Sequence, residues 1–130
     1  MKASARMMKL IRLILGKLIL LVDRTFPPRR LHRSATEQAK VDALVRRMAL
    51  YQFEACPFCV KVRRAMLRMS IPVELRDAKD PRHAQELLAG GGKLQVPCLM
   101  VGEDSAEKGR WIYESSDIIA YLDGRLRSIP

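Results

Sequence analysis

Two cysteines, Cys56 and Cys59, stand three positions apart with Pro57 between them, at the point where the short apolar run Ala-Leu-Tyr-Gln-Phe gives way to an amphipathic run reaching Arg68. The apolar run, residues 49–53, predicts a short buried strand. Proline is tolerated in a helix only at its first turn, where its missing N–H costs nothing, so Pro57 predicts a helix that starts there and continues to Arg68. The cysteine pair is thereby placed at a strand-to-helix junction, and the rest of the chain has to build around that junction.

The flanking sequence divides readily. Ser34 with Glu37 three residues later is a capping-box pattern, and Val41, Leu44, Val45 and Met48 recur behind it at helical spacing, predicting a leading helix over about 35–47. Residues 71–78 alternate, with Ile71, Val73 and Leu75 pointing inward from a second strand. Asp80 and Pro81 open a helix that ends at Gly90, Gly91 and Gly92, a natural C-cap. Residues 96–101 and 110–113, separated by a polar turn region, predict an antiparallel hairpin, and residues 114–126 close with a helix whose Ile118, Ile119 and Leu122 share a face. After the leading helix the order is β-α-β-α-β-β-α. At 130 residues, 48% of them hydrophobic, the chain has the size and composition of one globular domain.

The first 33 residues are different in kind. They hold nine Lys/Arg against the single acid Asp23, a net charge of +8, which leaves only +2 on residues 34–130. The high overall charge therefore describes an arm and not a basic face on the folded body, and it argues against a nucleic-acid partner. Wound at about 100° per residue, the arm places Lys2, Arg6, Lys9, Arg12, Gly16, Lys17, Asp23 and Arg24 within an arc of about 140°. Opposite them lie Met7, Met8, Leu10, Ile11, Ile14, Leu15, Leu18, Ile19, Leu21 and Val22. This is the pattern of a basic amphipathic helix lying in a membrane interface among anionic headgroups. Two other readings of the pattern are a face packed on the domain or a partner subunit, and a short tilted span with Arg12 and Lys17 snorkelling; the apolar run from Leu10 to Val22 falls short of the ~20 residues a spanning helix needs. No small-residue cleavage site follows the run, so export is not expected. Pro27 and Pro28 break the helix and read as a linker, giving an expected division into a membrane-associating arm, 1–33, and a folded domain, 34–130.

Three cysteines are no disulfide framework, and a reducing compartment is the expectation. A zinc or iron–sulfur site usually takes four ligands, whereas this chain has one C-x-x-C, the distant Cys98, and His32 and His83 at no ligand-like spacing, so no metal is expected. A structural disulfide closing so short a loop would remove little chain entropy. Redox chemistry uses both residues. At the mouth of a helix, unpaired N–H groups and the positive end of the dipole favour a thiolate, which suits Cys56 as the attacking sulfur. Cys59, one turn in, is shielded and fits the resolving role. Lys61, Arg63 and Arg64 read as a solvated helix face, and Cys98 as a buried strand residue.

Residues 48–127 resemble a glutaredoxin, and equally the thioredoxin-fold N-terminal domain of glutathione transferases, in the strand Leu-Tyr-Gln-Phe, the motif Cys-Pro-Phe-Cys, the pair Val96-Pro97 and the stretch Tyr-Glu-Ser-Ser-Asp-Ile-Ile-Ala-Tyr-Leu of the last helix. The resemblance implies an α/β, thioredoxin-like fold with a four-stranded mixed sheet flanked by helices. It also implies that Pro97 is cis and packs against the cysteine pair, that the Val96 backbone holds the cysteinyl unit of glutathione, and that Glu114 and Ser115 meet its γ-glutamyl end. A trans proline at a strand start, and an ordinary helix start with Ser115 as N-cap, are the plainer alternatives. The implied activity is thiol–disulfide exchange on disulfide-bearing or glutathionylated proteins, with glutathione as reducing co-substrate. The arm, which the resemblance does not cover, adds the cytoplasmic side of a membrane as the expected location. Two departures stand out: Glu54 occupies the region where glutaredoxins carry a basic residue for the glycine carboxylate of glutathione, and Gln95 stands where threonine is common. Lys93, Gln95 or Arg76 are the available replacements. The rival readings are a transferase-type domain, less expected because an all-helical substrate domain would have to begin beyond Pro130, and a non-enzymatic redox-sensing or iron–sulfur-carrying membrane partner.

Overall fold

The computed structural model describes residues 2–102 and 109–129; the polar turn region expected within the hairpin falls largely outside the described residues. Strands β1 (Met48–Gln52), β2 (Glu74–Asp77), β3 (Cys98–Val101) and β4 (Arg110–Ile112) form one sheet in the order β2-β1-β3-β4. β2 runs parallel to β1, while β3 is antiparallel to β1 and β4 to β3. A parallel pair needs a crossover, and α3 (Pro57–Arg68) supplies it. α4 (Pro81–Gly91) links β2 to β3, α5 (Ser115–Arg127) follows β4, and α2 (Ala35–Val45) precedes β1. This is the mixed, helix-flanked, thioredoxin-like sheet.

β1 is buried along its whole length, and its two faces feed two cores with the period of two that a pleated strand imposes. Met48 and Leu50 join Val41, Val62, Ile118 and Leu122 on one side; Ala49 and Tyr51 join Leu87 and Cys98 on the other. The caps follow the sequence signals. Ser34 Oγ accepts a hydrogen bond from the Glu37 N–H at 3.2 Å, Asp80 accepts from the Arg82 N–H at 2.9 Å, and Gly92 ends α4 in the left-handed region at φ 85°. Gly90 and Gly91 serve a second purpose: the rings of Trp111 and Tyr113 lie where a Cβ at either position would have to go.

Two expectations need correction. Leu75 is 47% exposed, although Ile71 and Val73 are buried. β2 is an edge strand, so Leu75, in register beside Leu50, has a neighbouring strand's side chain on one flank alone. The leading helix stops at Val45, two residues short of the expected 47, and Met48, which shares its spacing, begins β1.

α1 (Lys2–Thr25) is a single helix, and the segment after it is stitched to the domain. The Leu31 N–H donates to the Arg68 carbonyl at 2.9 Å, Ser70 Oγ donates to the Leu31 carbonyl at 2.6 Å, and the Arg33 guanidinium donates to the Ser70 carbonyl at 3.2 Å. Higher up, Arg64 of α3 meets the Asp23 carboxylate at 2.8 Å, and Gly16 is buried against the Ala55 side chain. Among the described residues, no helix is long and apolar enough to cross a membrane.

Candidate functional site

The topology gathers four backbone segments at one end of the sheet. β1 and β2 both finish there, β3 starts there and β4 finishes there. Tyr51 is in register with Cys98 and Leu99 with Ile112, so one step further along brings Gln52 opposite Pro97 and Tyr113 beside Cys98. The loop carrying Cys56, the turn after Asp77, the Val96-Pro97 pair and the Glu114-Ser115 pair therefore share this end.

Cys56 is the N-cap of α3, with extended backbone (φ −75°, ψ 126°) and Pro57 at the first helical position. Its carbonyl accepts the first helical bond from the Val60 N–H at 2.9 Å, and its side chain is half-exposed. Cys59, one turn along, is wholly buried, and its sulfur accepts a hydrogen bond from the Phe53 N–H at 3.4 Å. Burial pushes the Cys59 thiol up to about 12; the Phe53 N–H pulls it back down, and the neighbouring Cys56 sulfur raises it again. The pair is thus divided into one reachable sulfur and one that is kept protonated behind it. Cys98 is also wholly buried, and burial likewise pushes its thiol up to about 12 despite a lowering contact from the Tyr113 hydroxyl. All three cysteines are unpaired thiols. Among the described residues no group of three or more His, Cys, Asp or Glu side chains is placed to hold a metal ion.

The loop ahead of Cys56 is held from below by a residue that the sequence reading assigned to a solvated helix face. Arg63, two turns into α3, donates to the Gln52 side-chain oxygen, to the Phe53 carbonyl at 3.2 Å and to the Glu54 carbonyl at 2.6 Å. Gln52 is itself 8% exposed and, with Ser115, one of the two buried polar residues among the described residues. Only Lys61 of the three cations keeps the solvated role, since Arg64 is committed to Asp23. The signal available for Arg63 was its position two turns behind the first cysteine, on the side of α3 that returns to the strand end. Nothing in spacing alone says that a guanidinium there reaches carbonyls and not water.

The remaining named residues are placed as follows. The Val96-Pro97 bond is cis, Pro97 is buried, and Val96 packs with Phe53 against the Tyr51–Cys98 core. Glu114, the N-cap of α5, is exposed with φ 62°, a left-handed conformation that costs a non-glycine residue of order 1–3 kcal/mol, and Ser115 behind it is buried. The first N–H groups of α5 have no intrahelical acceptor and point toward this end of the sheet. Of the candidate replacements for the missing basic residue, Arg76 is already spent: it pairs with Glu74 at 2.9 Å and Glu86 at 3.1 Å and donates to the Tyr51 hydroxyl at 2.7 Å. Lys93 and Gln95 are exposed, with the Lys93 ammonium over the Tyr113 ring. Lys79 was not singled out in the sequence, yet its ammonium sits 5.7 Å from the centre of the Phe53 ring, beside the loop that carries Glu54 and Cys56.

A four-stranded mixed sheet with a cis-proline strand start and a C-x-x-C pair at the mouth of the first crossover helix defines a thioredoxin-like protein. Residues 50–127 match the family described as glutathione S-transferase, N-terminal domain, and the chain belongs to that family. It is also similar to glutaredoxin 2 of Escherichia coli, in strain K12 and in O157:H7 alike: 35% identical over 81 residues, covering 58% of this chain. The match takes in 33% of those relatives, so the chain spans about a third of their length. In fold it resembles a glutathione transferase family member from Pseudomonas fluorescens, solved with two glutathione molecules bound, at a TM-score of 0.52, 20% identity and coverage of 73% of this chain and 44% of that one.

Proposed function

We propose that this chain is a glutathione-dependent thiol–disulfide oxidoreductase acting on disulfide-bearing or glutathionylated proteins from the cytoplasmic surface of a membrane. The observation that carries the chemistry is the division between Cys56, half-exposed at a helix mouth, and Cys59, fully buried one turn behind it. The Cys56 thiolate attacks the glutathione sulfur of a protein–glutathione mixed disulfide; the Cys56–glutathione disulfide forms, and the protein thiol leaves with the electron pair and takes up a proton. A second glutathione thiolate then attacks that disulfide, giving oxidised glutathione and restoring Cys56. With a protein disulfide the first product is a Cys56–protein disulfide, which Cys59, once deprotonated, displaces to leave a Cys56–Cys59 disulfide for two glutathione molecules to reduce.

Glutathione binds along the sheet end. The Val96 backbone before the cis proline pairs with its cysteinyl unit, and the N–H groups at the start of α5, with Glu114 and Ser115, take its γ-glutamyl end. Lys79 meets the glycine carboxylate in place of the usual basic residue. The test is glutathione-coupled reduction of a glutathionylated peptide by the full chain. Activity that disappears in Cys56→Ser supports the reading, and unchanged activity in that variant refutes it.

The membrane component rests on α1. Its apolar residues Leu10, Ile11, Ile14, Leu18, Leu21 and Val22 are between 42% and 60% exposed, and the cations that accompany them complement anionic lipid. Three cysteines without a disulfide suit the reducing, cytoplasmic side. Sedimentation with anionic vesicles should carry the full chain down. Replacing Lys9, Arg12 and Lys17 with glutamine should weaken that binding and its salt dependence, since each cation near the surface contributes about 1 kcal/mol. Equal binding to neutral vesicles at high salt would overturn an electrostatic surface mode.

A further inference from the structure

α1 carries one glycine and one acid, and both are contacts with the domain. A glycine within a helix costs roughly 1 kcal/mol relative to alanine, so Gly16 needs a reason, and the structure supplies one: a Cβ there would lie 3.1 Å from the Ala55 Cβ, tighter than side chains ordinarily pack. Asp23 is two turns further on, bonded to Arg64 at 2.8 Å. Between them Ile19 and Leu20 are half-buried, completing a stripe at positions i, i+3, i+4 and i+7. Gly16 and Asp23 of that stripe lie within the cationic arc and Ile19 at the border of the apolar face; Leu18 and Val22 edge a groove against Val60 and Arg64, while Leu10, Ile11, Ile14 and Leu21 are left exposed.

Ala55 immediately precedes Cys56. We infer that α1 is docked as a rigid platform that sets the mouth of the Cys56 site at a fixed height above the bilayer, so that its substrates are disulfides and glutathione mixed disulfides presented by proteins close to the membrane surface. A helix lying in the interface is about 10 Å across. The Gly16 side of the helix faces the loop that carries Cys56, so the sulfur stands about one helix diameter from the headgroups. A cysteine on a short juxtamembrane segment falls within that reach. The substrate class rests on the reading of Cys56 as attacking thiol and of α1 as membrane-bound, but the geometry can be tested without turnover.

The full chain is labelled with bimane, which reacts with the accessible Cys56 while Cys59 and Cys98 are buried. It is then bound to anionic vesicles carrying headgroup nitroxide. Strong quenching is expected, falling at least threefold in Gly16→Gln, which wedges the dock, and in Arg64→Asp, which opposes Asp23; the swap Asp23→Arg with Arg64→Asp should restore it. The variants lie off the apolar face, so vesicle binding should hold. In the unlabelled chain, a glutathionylated peptide anchored to the vesicle should be reduced at least tenfold faster than the same peptide free in solution. That preference should shrink at least fivefold in the undocked variants, with the rate on free peptide unchanged. Quenching and preference that survive undocking would overturn the inference and make the arm a leash. Equal loss on both peptides would overturn it in favour of a dock that shapes the catalytic loop. Strong quenching without any reduction would leave the geometry standing and refute the enzymatic reading. Failure of the unmodified chain to bind vesicles would overturn the membrane reading and this inference together.

Discussion

Arg63→Ala removes a fork that holds three acceptors of the segment leading into Cys56: the Gln52 amide oxygen and the Phe53 and Glu54 carbonyls. The Glu54 carbonyl is at the surface and regains its bond from water. The Gln52 side chain is buried and does not, so most of the cost falls there and on the Phe53 carbonyl. A hydrogen bond from a charged donor contributes about 1.5–3 kcal/mol, and a buried acceptor left without a partner costs about 1–3 kcal/mol. A destabilisation of about 2–3 kcal/mol is the expected result, within the 5–15 kcal/mol that small domains typically possess, so the variant should still fold. With a urea slope near 2 kcal/mol/M the midpoint should fall by about 1 M. The loop would also lose its floor, and displacement of a reacting group by about 1 Å can cost up to 100-fold in rate, so disulfide exchange should drop by about ten- to a hundredfold at urea concentrations where the variant remains folded. Arg63→Lys should recover little, because an ammonium cannot span three acceptors as a planar fork does. Urea titration followed by circular dichroism, with Cys56 alkylation and glutathione-coupled turnover on the same samples, makes the comparison. Lowered stability with normal alkylation and turnover would refute the idea that Arg63 positions Cys56. Unchanged stability would mean that the fork is not formed in solution.

Cys59→Ser should retain activity on glutathionylated peptide while losing reduction of protein disulfides, because only the latter needs a resolving thiol; equal loss on both substrates in the coupled assay would argue against the monothiol route. Burial raises the Cys98 thiol from its ordinary value near 9 to about 12, so the unfolded chain gives up this proton before the folded one does. The contribution is intact below about pH 9 and is lost as the pH climbs from about 9 toward 12; stability measured across that range should therefore fall less steeply in Cys98→Ala than in the unmodified chain. Native Cys98 should also resist iodoacetamide under conditions that alkylate Cys56 fully, which peptide mapping would read. Glu54 is exposed in the loop beside the mouth, and the Lys79 ammonium lies over the ring of its chain neighbour Phe53. Glu54→Lys should lower the KM for glutathione several-fold and Lys79→Ala should raise it by a similar factor, with exposed charges each contributing about 1 kcal/mol or less; unchanged values in both would place the glycine carboxylate elsewhere.

The elements that carry the site could be read in one pass because each is announced by local chemistry. Pro57 fixes where α3 starts, Asp80 and Pro81 where α4 starts, and Gly92 where it stops, and each signal acts within one turn of itself. Leu75 went the other way because alternation reports a strand's two faces and says nothing of whether the strand lies at the edge of its sheet, where one flank of each side chain is open. The glycine run was read for its cap alone, because the closeness of Trp111 and Tyr113 to Gly90 and Gly91 depends on rings some twenty residues away.

The same distinction governs the site. Cys56 and Cys59 are separated in accessibility by burial, which their positions on a helix turn already suggest, whereas the groups that hold the loop act across the fold. Arg63 reaches back to the end of β1, Lys79 reaches over from the end of β2, and Asp23 reaches forty-one residues along the chain to Arg64. In the sequence, Gly16 and Asp23 are slight blemishes on an amphipathic arm, a missing side chain and a wrong-signed charge on a cationic face. Neither improves a helix that only has to lie on anionic lipid: the glycine weakens it and the acid opposes the surface. Residues that work against the apparent purpose of their own segment are best explained by a partner outside it, and here both find that partner within a few residues of the reactive cysteine pair. On the membrane reading proposed above, an arm that merely tethered the domain would have no use for either, whereas an arm that aimed it would use both.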